Sequence, residues 1–182
     1  MKDNSINKFE KTKVVSGRLI LHHPHLFTKW AYKDKTTSRY SVMLIIPKED
    51  KETLRKIDVA IEETIKLSAP LNNGVIPQIT DVAIPLRDGD SKVPSNIMYM
   101  GSQYMTASSQ TPPGVINERK IPLFGDEQVP DCSYGRASFY FEPYNIEGKI
   151  VIACRLINVQ VFKETFNVSK VISSPAEDFS DE

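Results

Sequence analysis

The chain has 182 residues, of which 40% are hydrophobic and 25% are charged, and its formal net charge is zero. This length predicts one domain of ordinary size, and the apolar fraction excludes a wholly disordered chain. No apolar run approaches the roughly 20 residues of a membrane helix. The polar start MKDNSINKFEKTK lacks the apolar stretch of a secretory signal. We therefore expect a soluble, cytoplasmic protein without a membrane partner.

The first part of the chain predicts two strands joined by a loop. Residues 1–10 are polar and predict a flexible arm. Lys13–Leu21 is rich in Val, Ile and Leu and favours a strand, in which Gly17 predicts a bulge or bend. The following HHPHLF is predicted as a loop because Pro24 interrupts the pattern. Arg39–Ile46 is apolar on both faces toward its end, which predicts a central second strand.

One long helix is predicted next, over Asp50–Leu67. Asp50 suits the N-cap position, where its carboxylate accepts from the first free amides of the helix. The apolar residues that recur at helical steps of three and four are Leu54, Ile57, Ile61 and Ile65. The segment Ala69–Pro94 contains several Pro, Asn and Gly residues and predicts an irregular insertion.

Three further strands are predicted over Ile97–Ala107, Tyr134–Phe141 and Lys149–Phe162. The predicted organisation is a flexible arm over 1–10, a folded domain over 11–168 and a disordered acidic tail over 169–182. Five strands with one long helix predict a mainly β protein. The pattern is compatible with an OB-like Greek-key β-barrel and also with other small α+β folds.

Metal and catalytic sites find little support in the sequence. His22, His23 and His25 form a cluster, but no CxxC or HxxxH spacing accompanies it, and we expect no metal site. Asp88 and Asp90 are a close carboxylate pair outside the helix and the tail, and we expect them to form a turn. No motif places a base beside a Ser or Cys nucleophile, so we expect no catalytic residues and no cofactor.

The charge is unevenly distributed along the chain. Residues 171–182 hold four acidic groups and no Lys or Arg, which leaves 23 basic and 19 acidic groups in residues 1–170. The body therefore has a net charge of +4 and the tail is acidic, an asymmetry typical of an interaction tail. The tail residues predicted to bind partner proteins are Glu177, Asp178, Phe179, Asp181 and Glu182.

Basic and aromatic side chains are interleaved along the predicted strands, as expected of a surface that holds phosphates and stacks bases. In Tyr134–Phe141, alternation places Ala137, Phe139 and Phe141 in the core and turns Arg136, Ser138 and Tyr140 outward. A solvent-facing strand without a ligand would show the same pattern. The candidate nucleic-acid-binding residues are Arg18, Trp30, Tyr32, Arg39, Tyr99, Tyr104, Arg136, Tyr140, Lys149 and Arg155.

Several segments together resemble a known family. They are KVVSGRLILHHPHLF, RYSVMLIIPKED, PLRDGD, YMGSQYMTASSQTPPGV, YGRASFYFEPYN, GKIVIACRLINVQVFKE and the terminal AEDF. Their order and spacing resemble the bacteriophage single-stranded DNA-binding proteins, a family first catalogued as a domain of unknown function. The resemblance extends over about residues 11–180.

The resemblance implies an OB fold, sequence-tolerant binding of single-stranded DNA in phage replication or recombination, no enzymatic activity and no required metal. It also implies a location in the host cytoplasm and replication or recombination proteins as partners of the acidic tail. A homodimer is compatible with the sequence. Two alternatives stay open: a phage structural or assembly protein without nucleic-acid binding, and a metal-dependent nuclease built around Asp88 and Asp90.

Overall fold

The protein is built mainly of β-strands. The computed structural model describes residues 10–31, 37–92 and 96–167. The predicted arm, apart from Glu10, and the acidic tail lie outside these residues, as does Tyr32. The strands are β1 Lys13–Val15, β2 Leu19–Ala31, β3 Ser38–Pro47, β4 Arg87–Asp88, β5 Ser102–Ser109, β6 Gly114–Asn117, β7 Ser133–Ile146 and β8 Lys149–Thr165.

Five of the strands close into a barrel in the order β2–β3–β5–β8–β7. The pairs β2–β3, β3–β5, β7–β8 and β2–β7 are antiparallel, whereas β5 and β8 run parallel. Because β7 pairs with both β8 and β2, the circle of hydrogen bonds is complete. A closed Greek-key barrel of five strands is the architecture of the OB fold, so the predicted fold class is confirmed.

The barrel interior is filled by alternate residues of its strands. On β3, Val42, Leu44 and Ile46 are almost fully buried, and on β7 Ala137, Phe139 and Phe141 are equally enclosed. Burial of each large apolar side chain contributes about 1.5–3 kcal/mol relative to an exposed one. The predicted inward face of β7 is therefore confirmed, and the intervening residues of both strands are turned to the outside.

Helix α1, Lys51–Leu67, packs its apolar side against β7 and β1. The Asp50 carboxylate accepts from the Thr53 amide at 3.0 Å, which confirms the predicted helix and its N-cap. Ile57, Ala60 and Ile61 are buried under the helix. The Gly17 amide donates to the Thr53 hydroxyl at 2.7 Å, so the break between β1 and β2 lies against the start of α1.

Two local predictions were wrong. The HHPHLF segment, predicted as a loop, belongs to β2, because irregular register between His22 and His25 and between His25 and Trp30 lets the strand continue past Pro24. Ile97–Tyr99 forms a 3-10 turn capped by the Asn96 side chain, and β5 begins only at Ser102. Among the described residues, no helix is long and apolar enough to cross a membrane.

Candidate nucleic-acid interface

An open pocket of about 460 Å³ lies on the outer face of β2, β3 and β5. It forms because the inward residues of β3 fill the core and leave Ser41 and Met43 on the outside, opposite residues of β2 and β5. We call this pocket the outer groove. It is lined by His23, His25, Trp30, Ser41, Val42, Met43 and Thr106.

Trp30 provides the largest exposed ring of the outer groove. Its side chain stacks on His25, with 4.7 Å between ring centroids and 25° between the planes. Trp30 nevertheless remains 54% exposed. A large aromatic ring that is held in place by a neighbour and open to solvent suits stacking against a flat heterocycle.

Cationic side chains lie beside aromatic rings on the strands that form the outer groove or next to them. Arg39 pairs with Trp30 across β2 and β3, and the Lys29 ammonium lies 5.5 Å from the centre of the Tyr40 ring. The Lys92 ammonium lies 5.7 Å from the ring centre of Tyr104, which belongs to β5. Cations placed beside aromatic rings match a chain that alternates negative charges with flat bases.

The structure brings together three of the predicted nucleic-acid-binding residues on this face, namely Trp30, Arg39 and Tyr104. Tyr104 is half-buried and pairs with Arg87 of β4 and with Ile45 of β3. These three residues come from separate strands, and the register of the barrel places them on the same face. Trp30 and Arg39 lie directly opposite each other, whereas Tyr104 pairs with Ile45, six residues along β3 from Arg39.

Tyr99 does not belong to any exposed surface, which corrects the prediction for this residue. It is 5% exposed, and its hydroxyl donates to the Met43 sulfur at 2.8 Å. Its ring also meets Tyr104 edge-on at 5.0 Å. Burial raises the pKa of the Tyr99 hydroxyl. The ring packs over the outside of the barrel as a small second core and cannot stack on a base there.

Four predicted residues lie on the outer face of β7 and β8, separate from the outer groove. Arg136 is exposed and donates from Nε to the Ser16 carbonyl at 3.0 Å. Tyr140 is half-buried and pairs with Arg155 across the two strands. Lys149 is exposed at the start of β8. Together with Lys13 of β1, which pairs with Tyr140, they form what we call the β7 face.

Arg155 has only 15% of its side chain exposed and is committed to other groups. Its Nε lies 3.2 Å from a Glu142 carboxylate oxygen, and its Nη2 donates to the Tyr144 hydroxyl at 2.5 Å. A charged arginine in an apolar strand needs a hydrogen-bonding partner, and Glu142 and Tyr144 of the same protein provide it. With its charge compensated by Glu142, Arg155 is a weak candidate for binding phosphate.

Arg18 occupies a third location, at the start of β2. Its guanidinium lies 4.1 Å from the centre of the Tyr134 ring and pairs with Glu164 at 2.5 Å. Half of the side chain is exposed. The geometry ties the beginning of β2 to the end of β8 and does not place Arg18 beside the outer groove.

Sequence reasoning missed several residues of the outer face. His25 and Met43 line the groove. The sequence pattern predicts a loop at His25, and it places Met43 in a strand that is apolar on both faces toward its end. Alternation with the buried Val42 and Leu44 would have turned Met43 outward. Phe124 is 83% exposed, in a segment linked to β2 by the hydrogen bond from the Phe27 amide to Asp126. A phenylalanine between Leu123 and Gly125 carries no sequence signal of such exposure.

Asp88 and Asp90 form a turn around a lysine. Lys48 Nζ lies 2.7 Å from Asp88 and 2.5 Å from Asp90, and the Gly101 amide donates to Asp90 at 2.7 Å. The hydrogen bonds from Lys48 hold the pKa of both carboxyls below its ordinary value. A catalytic cation would have to displace this ammonium, so the arrangement favours the turn over a nuclease site.

Comparisons with known proteins agree with this picture. A curated relative, putative protein p50 of Acyrthosiphon pisum secondary endosymbiont phage 1, is 29% identical over 159 residues, which is 84% of each chain. The single-stranded DNA-binding protein of bacteriophage Enc34, solved with single-stranded DNA, has a TM-score of 0.68 at 20% identity. That match covers 86% of this chain and 88% of the other.

The fold is also similar to that of gp2.5, a single-stranded DNA-binding protein of bacteriophage T7. The TM-score is 0.62 at 12% identity, over 89% of this chain and 97% of that one. At these identities the two structural likenesses establish the fold. Residues 12–182 match the family model described as Enterobacter phage Enc34, ssDNA-binding protein. The resemblance noted in the sequence is thereby confirmed, and the chain belongs to this phage single-stranded DNA-binding protein family.

Proposed function

We propose that this protein binds single-stranded DNA without strong sequence preference and coats it during phage DNA replication or recombination. The bases stack on the rings of the outer groove, and Lys29, Arg39 and Lys92 neutralise phosphates. The protein acts by binding and has no enzymatic activity, in keeping with the family to which it belongs. The observation that carries the proposal is the half-exposed Trp30, stacked on His25 and flanked by Arg39.

The location of the outer groove supports this assignment. In the barrel order, β3 and β5 are the second and third strands, and OB folds bind oligonucleotides across this pair and the loops beside it. The outer groove lies across the same strands. Trp30 and Arg39 pair near the ends of β2 and β3, next to the connection between them. The proposed contacts therefore occupy the part of an OB barrel that is open to a nucleic-acid strand.

The same geometry favours single strands over duplex DNA. Bases inside a duplex stack on one another and hide their faces, whereas each base of a single strand offers a free π-face. Each stacked base contributes about 1–3 kcal/mol to binding, so a few exposed rings provide useful affinity. The modest positive charge of the body predicts that affinity falls steeply as salt rises.

The presence of a single tryptophan in the sequence offers a direct test. Because Trp30 is the proposed stacking ring, unlabelled oligonucleotides should quench its intrinsic fluorescence on binding. Titration of the full chain with single-stranded DNA, the matching duplex and single-stranded RNA would measure the preference. Equal affinity for single strand and duplex, or binding without any change in Trp30 emission, would contradict the proposed site.

The acidic tail belongs to the same proposal. We infer that Phe179 and its acidic neighbours recruit replication or recombination proteins and compete with DNA for the cations of the body. The distribution of charge supports this inference, because residues 1–170 carry a net charge of +4 and residues 171–182 contain four acidic groups and no Lys or Arg. Pull-down of host-cell and phage replication proteins with the full chain, compared with a chain ending at Lys170, tests the recruitment.

A homodimer is the remaining part of the proposal. Val75 and Ile76 are 62% and 53% exposed beside a second pocket, far in sequence from the outer groove. Exposed neighbouring apolar side chains are typical of surfaces that another chain covers. Light scattering would show a dimer that Val75→Ser and Ile76→Ser dissociate, while a monomer at all concentrations would refute this part alone.

A further inference from the structure

The structure brings four potential metal ligands together beside the outer groove, although the sequence separates them into two distant pairs. His22 and His23 lie on β2, and Asp131 and Cys132 immediately precede β7. One donor atom from each of His22, His23 and Asp131 lies within 4.8 Å of the other two. The Cys132 sulfur is 3.6 Å from His22 Nδ1. The spacing argument against zinc no longer applies, because the fold removes the separation along the chain.

We propose that this cluster is a binding site for a divalent transition-metal ion, with Zn²⁺ as the ion that its donor atoms suit best. The set combines two imidazole nitrogens, one carboxylate oxygen and one sulfur, which is a donor set that tetrahedral zinc accepts. The ligands are His22, His23, Asp131 and Cys132.

Three distances between donor atoms are close to those expected in a tetrahedral site. Zinc–nitrogen and zinc–sulfur bonds of about 2.0–2.3 Å place neighbouring ligand atoms roughly 3.3–3.6 Å apart. Here His22 Nδ1 is 3.0 Å from Asp131 Oδ1 and 3.6 Å from the Cys132 sulfur, and His23 Nδ1 is 3.6 Å from Asp131 Oδ2. Small side-chain rotations would bring the four donors around one ion.

Backbone geometry explains how two successive histidines can face one point. In a regular strand His22 and His23 would point to opposite sides. His23 instead has a φ of +48°, in an irregular stretch of β2, and the two imidazole centroids lie 3.7 Å apart. Cys132 also has a positive φ, of +62°. Left-handed conformations are strained at residues other than glycine, and they cluster at functional sites.

The surroundings also suit a metal site. Asp131 Oδ1 accepts from the backbone amides of His23 at 2.7 Å and Cys132 at 2.8 Å, which fixes the carboxylate. Its other oxygen, Oδ2, is the one that faces His23 Nδ1. Hydrogen bonds of this kind orient ligands in metal sites. The His22 side chain is 10% exposed, so one ligand is almost enclosed while His23 reaches the solvent and the groove.

A metal ion at this position would fasten the segment before β7 to β2 and would hold His23, which lines the outer groove. Ligation requires the Cys132 thiolate, so the thiol proton passes to solvent when the ion binds. The site would therefore stabilise one wall of the groove without taking part in any reaction.

Cobalt(II) provides the test, because tetrahedral Co²⁺ absorbs visible light and a thiolate ligand adds a charge-transfer band. The chelator-treated full chain, kept reduced, is titrated with Co²⁺ and then with Zn²⁺ in the absence of DNA. We expect a tetrahedral spectrum with the thiolate band at one ion per chain, which Zn²⁺ abolishes. Zn²⁺ should also raise the melting temperature, since it binds the folded state.

Two substitutions and two controls locate the site. Cys132→Ser should remove the thiolate band. His23→Ala should weaken Co²⁺ binding at least about tenfold, because losing even a residue that only hydrogen-bonds a metal ligand lowers metal affinity by about that factor. Cys154→Ala, which changes the buried core cysteine, and His25→Gln, which changes a groove histidine outside the cluster, should keep the band. Absence of a tetrahedral spectrum in the unaltered chain, or a thiolate band that survives Cys132→Ser, would overturn the proposal even if a variant failed to fold.

Discussion

Trp30 stacks on His25 with 4.7 Å between their ring centroids, and the two residues stand on either side of an irregularity in β2. The irregular register puts both rings on the outer face of the barrel, where Trp30 keeps half of its surface exposed. This pair forms a preformed platform for a base, because the imidazole holds the indole in place before any ligand arrives.

Replacement of Trp30 by alanine should weaken binding of single-stranded DNA by about 1–3 kcal/mol, roughly 5- to 150-fold, if one base stacks on the ring. Trp30→Phe keeps an aromatic face and should lose much less. Fluorescence anisotropy with a labelled oligonucleotide at fixed salt measures both variants. If alanine and phenylalanine had the same small effect, stacking on this ring would not contribute.

Lys29 and Arg39 should each account for part of the salt dependence. The logarithm of the binding constant falls with the logarithm of salt concentration by about 0.7 per phosphate contact on a single strand. Lys29→Gln and Arg39→Gln should therefore each reduce the slope by about 0.7. Arg55→Gln removes an exposed cation from α1 and serves as the matched control. A slope changed as much by Arg55→Gln would indicate a general charge effect without a defined contact.

Deletion of residues 171–182 should tighten DNA binding at low salt, because it removes four acidic groups and leaves a body with a net charge of +4. The difference in affinity between the shortened and the full chain should shrink as salt rises. Salt screens the attraction of the cationic body for the acidic tail as well as its attraction for DNA. A full-length variant with Gln or Asn at the four acidic positions separates charge from length. Unchanged affinity of the shortened chain at low salt would exclude competition by the tail.

The β7 face is a proposed extension of the DNA path beyond the outer groove. An OB domain holds about 4–16 nucleotides, so a short oligonucleotide can fill one surface while a long one can cross the barrel. The double substitution Arg136→Ala and Tyr140→Ala should weaken binding of long oligonucleotides and leave short ones unaffected. If both lengths bind as before, the β7 face does not contact DNA.

Gly17 lies against the start of α1, where its lack of a side chain affects the stability of the fold and not the binding of DNA. A Cβ at this position would lie 2.3 Å from the Asp50 carboxylate that caps α1. Gly17→Ala should therefore disturb the cap and lower the free energy of unfolding by about 0.5–2 kcal/mol, the range for losing an N-cap. Urea unfolding measures this, with Asp50→Ala as the comparison that removes the capping carboxylate directly. Because both changes act on one cap, Gly17→Ala and Asp50→Ala should not be additive.

Local periodicity determined most of the secondary structure. The helical spacing of Leu54 and Ile57 together with the Asp50 cap located α1 to within one residue, since an amphipathic helix repeats a simple pattern over many turns. Alternation separated the core and outer residues of β7 for the same reason. The course of β2 past Pro24 was not predictable, because a bulge depends on the partner strand and leaves only a broken pattern in the sequence.

The sequence by itself determined the type of protein: a mainly β domain with one helix, a basic body, an acidic tail and a family resemblance carried by the order of its segments. Only the tertiary structure decided which residues act together. Closure of the barrel joined Trp30, Arg39 and Tyr104 on one face, buried Tyr99 and paired Arg155 with Glu142. It also brought His22 to Cys132 across more than a hundred residues. Contacts of this kind follow from strand register and closure, which residues distant in the chain set jointly and no local pattern encodes.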